Sequence, residues 1–121
     1  MKGIDKFAEL LGIRLLEAKD GYAKVTMKIV KDHLNYLGMT NGGVIFSLAD
    51  YAFAEASNYG ENVAVALQAN INFLRPTFEG DVLIAESTRV SGGKTVALYN
   101  ITVYKEEKIV ATFSGYVYIK K

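Results

Sequence analysis

The chain has 121 residues, of which 50% are hydrophobic, and a formal net charge of +1 at pH 7. This length predicts one domain, residues 1–121, and the near-neutral charge argues against a nucleic-acid partner or an acidic membrane surface. Because the chain has no cysteine, disulfides, thiolate metal sites and cysteine nucleophiles are excluded together.

The N-terminal segment and the hydropathy pattern bear on location. Charged residues run throughout residues 1–12, which argues against a signal peptide. No apolar stretch approaches the roughly 18 residues of a membrane-spanning helix. We therefore expect a cytoplasmic protein with no membrane partner.

A short helix and a hairpin are predicted first. Residues 3–11 have the spacing of an amphipathic helix, with an apolar stripe formed by Ile4, Phe7, Leu10 and Leu11. Strands are predicted over residues 13–19 and 22–30, joined by an Asp20-Gly21 turn. In the second strand, one face carries Ala23, Val25, Met27 and Ile29.

An irregular loop, residues 31–43, leads into the most apolar segment of the chain. Its glycines and asparagines suit unusual backbone angles, and Asn41 is the predicted N-cap of the helix that follows. Residues 41–58 are apolar around nearly the whole helical circumference. Such a helix is expected to be buried.

Asp50 is the one charge in the middle of that helix, and no Lys or Arg lies one turn away. A buried carboxylate is unfavourable unless it is paired or hydrogen-bonded. Two interpretations therefore stay open. Asp50 is either a core carboxylate bonded to a loop or a group that carries out chemistry.

Four strands follow, predicted over residues 63–75, 81–90, 95–104 and 109–120. Strict alternation in the first places Val63, Val65, Leu67, Ala69, Ile71 and Phe73 on one face and Ala64, Ala66, Gln68, Asn70, Asn72 and Leu74 on the other. We expect Gln68, Asn70 and Asn72 to meet solvent or another subunit. The element order predicts an α+β fold, in which a curved antiparallel sheet of five to six strands wraps around one long buried helix and a short N-terminal helix is added.

This order and the loop–helix junction resemble the hotdog fold, and within it the phenylacetyl-CoA thioesterase (PaaI-like) family of acyl-CoA thioesterases. The residues that carry the resemblance are His33-Leu34-Asn35, Gly38, Asn41-Gly42-Gly43, Leu48-Ala49-Asp50 and Asn72-Phe73-Leu74-Arg75-Pro76. The match extends over nearly the whole chain in order and spacing.

The resemblance implies hydrolysis of a CoA thioester without a cofactor. It implies that Asp50 is the acidic catalytic group, that the Gly42 N–H binds the thioester oxygen, and that Asn35 positions the thioester or the attacking water. The chain departs from the family at Asn41, where a histidine is usual, and at Ala66, where some relatives have serine or threonine. Asn41 still caps the helix and donates a hydrogen bond, but it takes up no proton.

Thioester hydrolysis needs an activated oxygen nucleophile and donors for the oxyanion. The free N–H groups and positive dipole of a helix N-terminus supply the donors. Asp50 supplies the nucleophile, either by attacking the thioester itself or by deprotonating water. The sequence leaves both routes open.

Helix geometry restricts how Gly42 and Asp50 cooperate. They are eight positions apart on one helix, which is about 12 Å along the axis, whereas a carbonyl carbon must lie about 3–3.5 Å from its attacker. One helix therefore cannot supply both groups to one thioester. The enzyme interpretation requires a homodimer with two shared sites, and the resemblance implies a tetramer of two such dimers.

Local cations must hold CoA, because the net charge does not attract this large anion. The resemblance points to the segment after the long strand and to the later hairpin. The candidate substrate-binding residues are Asn41, Gly43, Arg75, Pro76, Ser91, Gly92, Gly93, Lys94 and Thr95, with Arg89 as a further cation. Tyr51 and Phe53 either line the acyl pocket or belong to the core. His33, the only histidine, has one adjacent carboxylate, Asp32, so no metal site is expected.

Two other functions remain possible on this scaffold. A hotdog dehydratase or hydratase needs an acid–base pair that commonly includes histidine, and His33 lies outside the expected place. A non-catalytic acyl-CoA binding or sensing module would bind CoA esters without turnover. The acyl group is also open among aryl, phenylacetyl and medium-chain esters.

Overall fold

The computed structural model describes residues 2–120. In this range the helices are α1 (Lys6–Leu11) and α2 (Gly42–Ser57), with a 3-10 turn at Lys31–His33. The strands are β1 (Arg14–Lys19), β2 (Tyr22–Lys28), β3 (Val63–Phe73), β4 (Val82–Gly92), β5 (Val96–Lys105) and β6 (Lys108–Lys120). They form one antiparallel sheet in the order β1-β2-β4-β5-β6-β3, with β1 and β3 at the edges. Neither helix of the described range is long and apolar enough to cross a membrane.

α2 lies across one face of the sheet and contacts all six strands. Its fully buried side chains include Leu48, Ala52 and Phe53. The inward-facing side chains of the central strands that form the core with them are Ala23, Val25, Met27, Leu83, Ala85, Ile101 and Val103. The prediction of an antiparallel sheet around one long helix is confirmed.

The face assignment of β3 was wrong along part of the strand. Its pairing with β6 shifts register between Ala66 and Gln68, which leaves Leu67 as an extra residue. Because a bulge adds one residue to one strand, the side chains beyond it change faces. The residues that point away from α2 are Val63, Val65, Gln68, Asn70 and Asn72, and those on the α2 side are Ala64, Ala66, Ala69, Ile71 and Phe73.

α1 is shorter than predicted, and of its predicted apolar stripe only Leu11 packs against the core. The helix begins at Lys6 because Asp5 caps it, with Asp5 Oδ1 accepting the Ala8 N–H at 3.0 Å. Ala8 is buried, but the predicted stripe residues Ile4, Phe7 and Leu10 are 73%, 58% and 78% exposed. Burial thus depends on a small side chain that allows close approach to α2.

The face of α2 opposite the sheet is half-exposed, contrary to the expectation of burial all round. Ser47, Asp50, Tyr51 and Ala54 recur every three or four residues and all have intermediate exposure. This spacing places them on one stripe of the helix. Asp50 therefore lies at a partly accessible surface and not within the core.

The outer face of the sheet is poor in charge across β3, β5 and β6. An uncharged polar group occupies its middle, formed by Asn70, Asn72, Asn100, Thr102, Thr112 and Ser114. Beside it, Val65, Tyr116 and Tyr118 keep more than two-fifths of their surface exposed. Gln68, Asn70 and Asn72 face away from α2, as predicted.

Candidate active site

The N-terminus of α2 presents one backbone N–H without a partner. Asn41 caps the helix, with its Oδ1 accepting the Gly43 N–H at 2.7 Å. The Asn41 carbonyl accepts the N–H groups of Val44 and Ile45 at 2.9 and 3.4 Å. The Gly42 N–H makes no hydrogen bond within residues 2–120. A free N–H at the positive end of a helix is a donor suited to a developing oxyanion.

Asn35 shapes the loop in front of that N–H. Its Oδ1 accepts the N–H groups of Leu37 at 2.8 Å and Met39 at 3.2 Å. These bonds occupy the side-chain oxygen and leave the NH2 group as donor. Asn35 and Gly42 line one cleft of about 260 Å³, here called the Gly42 cleft. Its other wall includes residues 73–76.

A buried threonine pair fixes this loop to the connection between β3 and β4. Thr77 Oγ1 donates to Thr40 Oγ1 at 2.7 Å, and the Thr40 N–H donates to the Thr77 carbonyl at 2.9 Å. Both side chains are buried. Sequence reasoning missed this pair, since nothing in the local pattern links residues so far apart.

Asp50 lies in a second cleft of about 260 Å³ between α1 and α2, here called the Asp50 cleft. The other residues that line it are Asp5, Phe7, Ala8, Ile13, Phe46, Ser47 and Tyr51. The Asp50 carboxylate makes no hydrogen bond or salt bridge with any other described residue. Burial, and then the nearby charge of Asp5, raise the pKa of the Asp50 carboxyl above its usual range. Within residues 2–120, no residue forms a hydrogen bond with Asp50, which argues against the alternative of a core carboxylate bonded to a loop.

No residue lines both clefts. Gly42 and Asp50 are eight residues apart on α2, which corresponds to about 12 Å along the helix axis. One chain thus presents a free backbone N–H in one cleft and a free carboxylate in another.

The predicted substrate-binding residues fall into separate groups. Arg75 and Pro76 line the Gly42 cleft, and Asn41 and Gly43 are exposed at the helix start beside it. The hairpin of Ser91, Gly92, Gly93, Lys94 and Thr95 joins β4 to β5 at the other end of the sheet. The ten residues of β5 separate the two ends, a distance of roughly 30 Å. Within one chain, the hairpin and the Gly42 cleft do not meet.

Arg89 is engaged elsewhere. Its guanidinium forms a salt bridge with Asp20 at 3.2 Å, beside the turn between β1 and β2. Both side chains are exposed, so the pair contributes little to stability.

His33 supports the loop that carries Asn35. It is buried, its Nδ1 accepts the Val30 N–H at 3.0 Å, and its carbonyl accepts the Asn41 N–H at 2.8 Å. No group of three or more His, Cys, Asp or Glu side chains placed to hold a metal ion occurs in residues 2–120. Ala66 lines neither cleft.

The sequence prediction did not include α1 in the site. Asp5 and Phe7 both line the Asp50 cleft, and Tyr51 joins them, whereas Phe53 is core. Asp5 stands three residues before Ala8, the spacing of an N-cap and its N–H donor. The sequence prediction began this helix at Gly3, so Asp5 fell inside the predicted helix and was not identified as its N-cap.

The sequence matches the family model described as the thioesterase superfamily over residues 37–112. It is 41% identical over 112 residues to the acyl-coenzyme A thioesterase PaaI of Escherichia coli, which covers 92% of this chain and 80% of that protein. The structure of the Escherichia coli PaaI protein superposes with a TM-score of 0.93 at 39% identity, covering 97% of this chain and 86% of that one.

Two further solved structures share the architecture. A mutant of the phenylacetic acid degradation protein PaaI from Thermus thermophilus has a TM-score of 0.91 at 38% identity, covering 94% of this chain and 98% of that one. A Streptococcus mutans protein bound to acetyl CoA has a TM-score of 0.85 at 29% identity, covering 89% of this chain and 88% of that one. The fold is therefore the hotdog fold of the PaaI structures.

Proposed function

The chain belongs to the thioesterase superfamily and is a homologue of the PaaI acyl-CoA thioesterase, so it is an acyl-CoA thioesterase. On this basis we propose its substrates and its catalytic residues. It hydrolyses aryl-, phenylacetyl- or medium-chain acyl-CoA to the free acid and CoA. Asp50 acts as nucleophile or general base, the Gly42 N–H binds the oxyanion, and the Asn35 amide positions the thioester or the water.

The observation that carries this proposal is the pair of unsatisfied groups on α2. The Asp50 carboxylate and the Gly42 N–H each face a cleft without a hydrogen-bond partner among the described residues. Both residues have intermediate exposure, so a substrate can reach both groups from solvent. Their free state is what a site prepared for a substrate requires.

The two halves become one site when a second copy of the chain pairs with the first. Asp50 of one copy then lies beside Gly42 of the other, and a two-fold axis generates two such sites. β3 is an edge strand, whose unpaired backbone groups offer a surface for pairing. The low-charge outer face of the sheet is the further surface through which two dimers form a tetramer. In that assembly the hairpin of residues 91–95 contacts CoA only from another subunit.

The base-catalysed route proceeds as follows. A water molecule transfers a proton to Asp50 while its oxygen bonds to the carbonyl carbon, and the oxyanion accepts the Gly42 N–H. The carbon–sulfur bond then breaks, and the CoA thiolate takes the proton from Asp50. In the nucleophilic route the carboxylate attacks first, and water cleaves the resulting anhydride. Single turnover in ¹⁸O water identifies the nucleophilic route if the label appears on Asp50, because only attack of water on the Asp50 carbonyl of the anhydride can place it there.

The Asp50 cleft supports an acyl group of modest size. Its volume of about 260 Å³ lies just below the range of about 300–1,000 Å³ for typical small-molecule sites. Phe7, Phe46 and Tyr51 supply aromatic surface beside the carboxylate. A ring or a medium-length chain fits such a space better than a long chain.

Thiol release from a panel of acyl-CoA esters tests the proposal. We expect Asp50→Asn and Asp50→Ala to lower kcat by about 10²–10⁴-fold, while CoA-ester binding is retained. Tight binding without thiol release by the unmodified protein would instead indicate a binding or sensing module. Turnover that survives Asp50→Ala would reject Asp50 as the catalytic group.

A further inference from the structure

A third cleft lies at the β1 edge of the sheet and is here called the edge cleft. It is formed by residues 9–12 at the end of α1, residues 26–28 at the end of β2 and residues 32–33 in the 3-10 turn, together with Arg14, Val30 and Val82. None of these residues lines the Gly42 cleft or the Asp50 cleft. The volume of about 720 Å³ lies within the range of about 300–1,000 Å³ for small-molecule sites.

The edge cleft exists because β2 extends beyond its neighbour β1. The first residue of β1, Arg14, pairs with Thr26, whereas β2 continues to Lys28. The Ile29 N–H donates to the Asp81 carbonyl at 2.8 Å, on the β4 side of the strand. Because successive residues of an antiparallel strand direct their backbone groups to opposite sides, the Lys28 N–H is directed away from β4, to the side on which β1 has ended.

A buried histidine supplies a second donor. His33 lines the edge cleft and is 5% exposed. Its Nδ1 accepts the Val30 N–H at 3.0 Å, which places the proton of the neutral imidazole on Nε2. The Nε2–H donates to no other residue of the described range 2–120. It is therefore available to an acceptor in the edge cleft.

Two neighbouring cations give the edge cleft a positive wall. Arg14 is paired with Thr26, and Lys28 follows two residues later on the same face of the sheet. Such diagonal neighbours lie about 7–8 Å apart. Neither cation forms a salt bridge with another residue between 2 and 120. Glu9 and Asp32 also line the cleft, but they belong to separate segments, α1 and the 3-10 turn.

The edge cleft also has an apolar wall, formed by Leu10, Leu11, Met27, Val30 and Val82. Met27 is buried and Leu11 packs against the core. Leu10, Val30 and Val82 are 78%, 45% and 53% exposed. Small-molecule sites typically combine such apolar surface with a few polar groups that fix the orientation of the ligand. The cleft therefore suits a ligand with one apolar and one anionic end.

We propose that the edge cleft binds an amphipathic monocarboxylate. Its carboxylate accepts hydrogen bonds from the His33 Nε2–H and from the side chains of Arg14 and Lys28, and its apolar part covers Met27 and Val82. Hydrogen bonds between a carboxylate and charged donors are about twice as strong as those between neutral groups, so an alcohol of equal length binds more weakly. The acid that a thioesterase releases belongs to this ligand class, but this site is separate from the catalytic clefts and does not depend on the catalytic roles proposed above.

NMR titration of the unmodified protein tests the proposal. Octanoate is the ligand, and octanol and octylamine are controls with the same chain length. The chain has one histidine and three methionines, of which Met27 reports on the edge cleft and Met39 on the Gly42 cleft. We expect octanoate to shift the His33 Nε2 and Met27 methyl signals with a Kd of about 1 mM or below. Octanol and octylamine should bind at least about tenfold more weakly, as expected for loss of one charge-assisted hydrogen bond.

Variants separate the edge cleft from the catalytic clefts. Arg14→Gln and Lys28→Gln should each weaken octanoate binding about tenfold. Lys24→Gln, on the same strand but outside the cleft, should leave it unchanged. None of the three side chains is buried, so folding should be retained.

Four results would overturn the proposal: shifts at Met39 alone, shifts that rise without saturation, equal affinity for the three compounds, or unchanged octanoate affinity in both cleft variants. No turnover is measured, so a failure of the proposed catalytic function would leave this test intact.

Discussion

At the level of single residues, Gly42 and Asp50 have their reactive groups free for different reasons. The Gly42 N–H is free because the first turn of any helix lacks intrahelical acceptors, and because Asn41 Oδ1 is occupied by the next N–H, that of Gly43. The Asp50 carboxylate is free because α1 covers it with apolar and acidic side chains and offers it no donor. The first follows from local geometry and the second from tertiary packing.

Removal of the Gly42 N–H can be separated from the bulk of a new side chain. Gly42→Pro deletes the donor at the first helical position, where proline is tolerated, and the Asn41 ψ of 133° suits a residue before proline. We expect kcat to fall about 10²–10³-fold, as for loss of one oxyanion donor. Gly42→Ala keeps the N–H and places a similar Cβ against the Phe73 ring, at 3.3 Å. An equal loss in both variants would contradict the donor role.

The raised pKa of Asp50 predicts the acid limb of the pH profile. The carboxylate is the active form in either route, so kcat/KM should fall as the pH drops through a pKa above the ordinary aspartate value of about 3.9. Asp5 is the charged neighbour that adds to the effect of burial. Asp5→Asn removes its charge, retains a residue type that caps helices, and should move the limb to lower pH. A limb that stays in place or moves upwards would refute this coupling.

At the level of elements, the order and type of the helices and strands followed from the sequence. Periodicity located α2 and the hairpins, because alternation and helical spacing are local properties. The bulge at Leu67 was invisible, since it is defined by pairing with β6. The stripe on α1 was misassigned for a related reason. Its surroundings are set by α2, and Ala8 makes the buried contact.

The loop that carries Asn35 depends on an element distant in sequence. Thr77→Val should leave the buried Thr40 hydroxyl without its partner and destabilise the protein by about 1–3 kcal/mol. Thr77→Ser keeps the hydroxyl and serves as the control. Urea denaturation of Thr77→Val, Thr77→Ser and Thr40→Val, and of the Thr40→Val/Thr77→Val double variant, gives the coupling between the two hydroxyls. A double variant that costs the full sum of both single changes would show that the hydroxyls do not act as a pair.

At the level of the whole molecule, the two groups to which we assign the chemistry lie in separate clefts of one chain. Helix rise keeps Gly42 and Asp50 apart whatever the packing, and no residue lines both of their clefts. The exposed apolar surface also favours association between copies of the chain. Val65, Tyr116 and Tyr118 on the outer sheet face are each more than 40% exposed, and apolar patches of this kind mark interaction surfaces.

Shared sites predict complementation between two inactive chains. Mixed dimers of Asp50→Asn and Gly42→Pro contain one site with both changes and one with neither. Co-expression should therefore restore activity to about a quarter of the unmodified value, because half of the dimers are mixed and each has one intact site. Each variant expressed alone is the control. No recovery in purified mixed dimers would show that each site is built within a single chain.

The sequence alone determined the element order, the lone carboxylate of α2 and the impossibility of joining Gly42 and Asp50 within one helix. These depend on local hydrogen bonding and on spacing along the chain. Tertiary structure decided that Asp50 is half-exposed beside Asp5, that β3 changes faces at Leu67, and that Thr40 meets Thr77. Each of those outcomes depends on which distant segments pack together, and no local pattern records that choice.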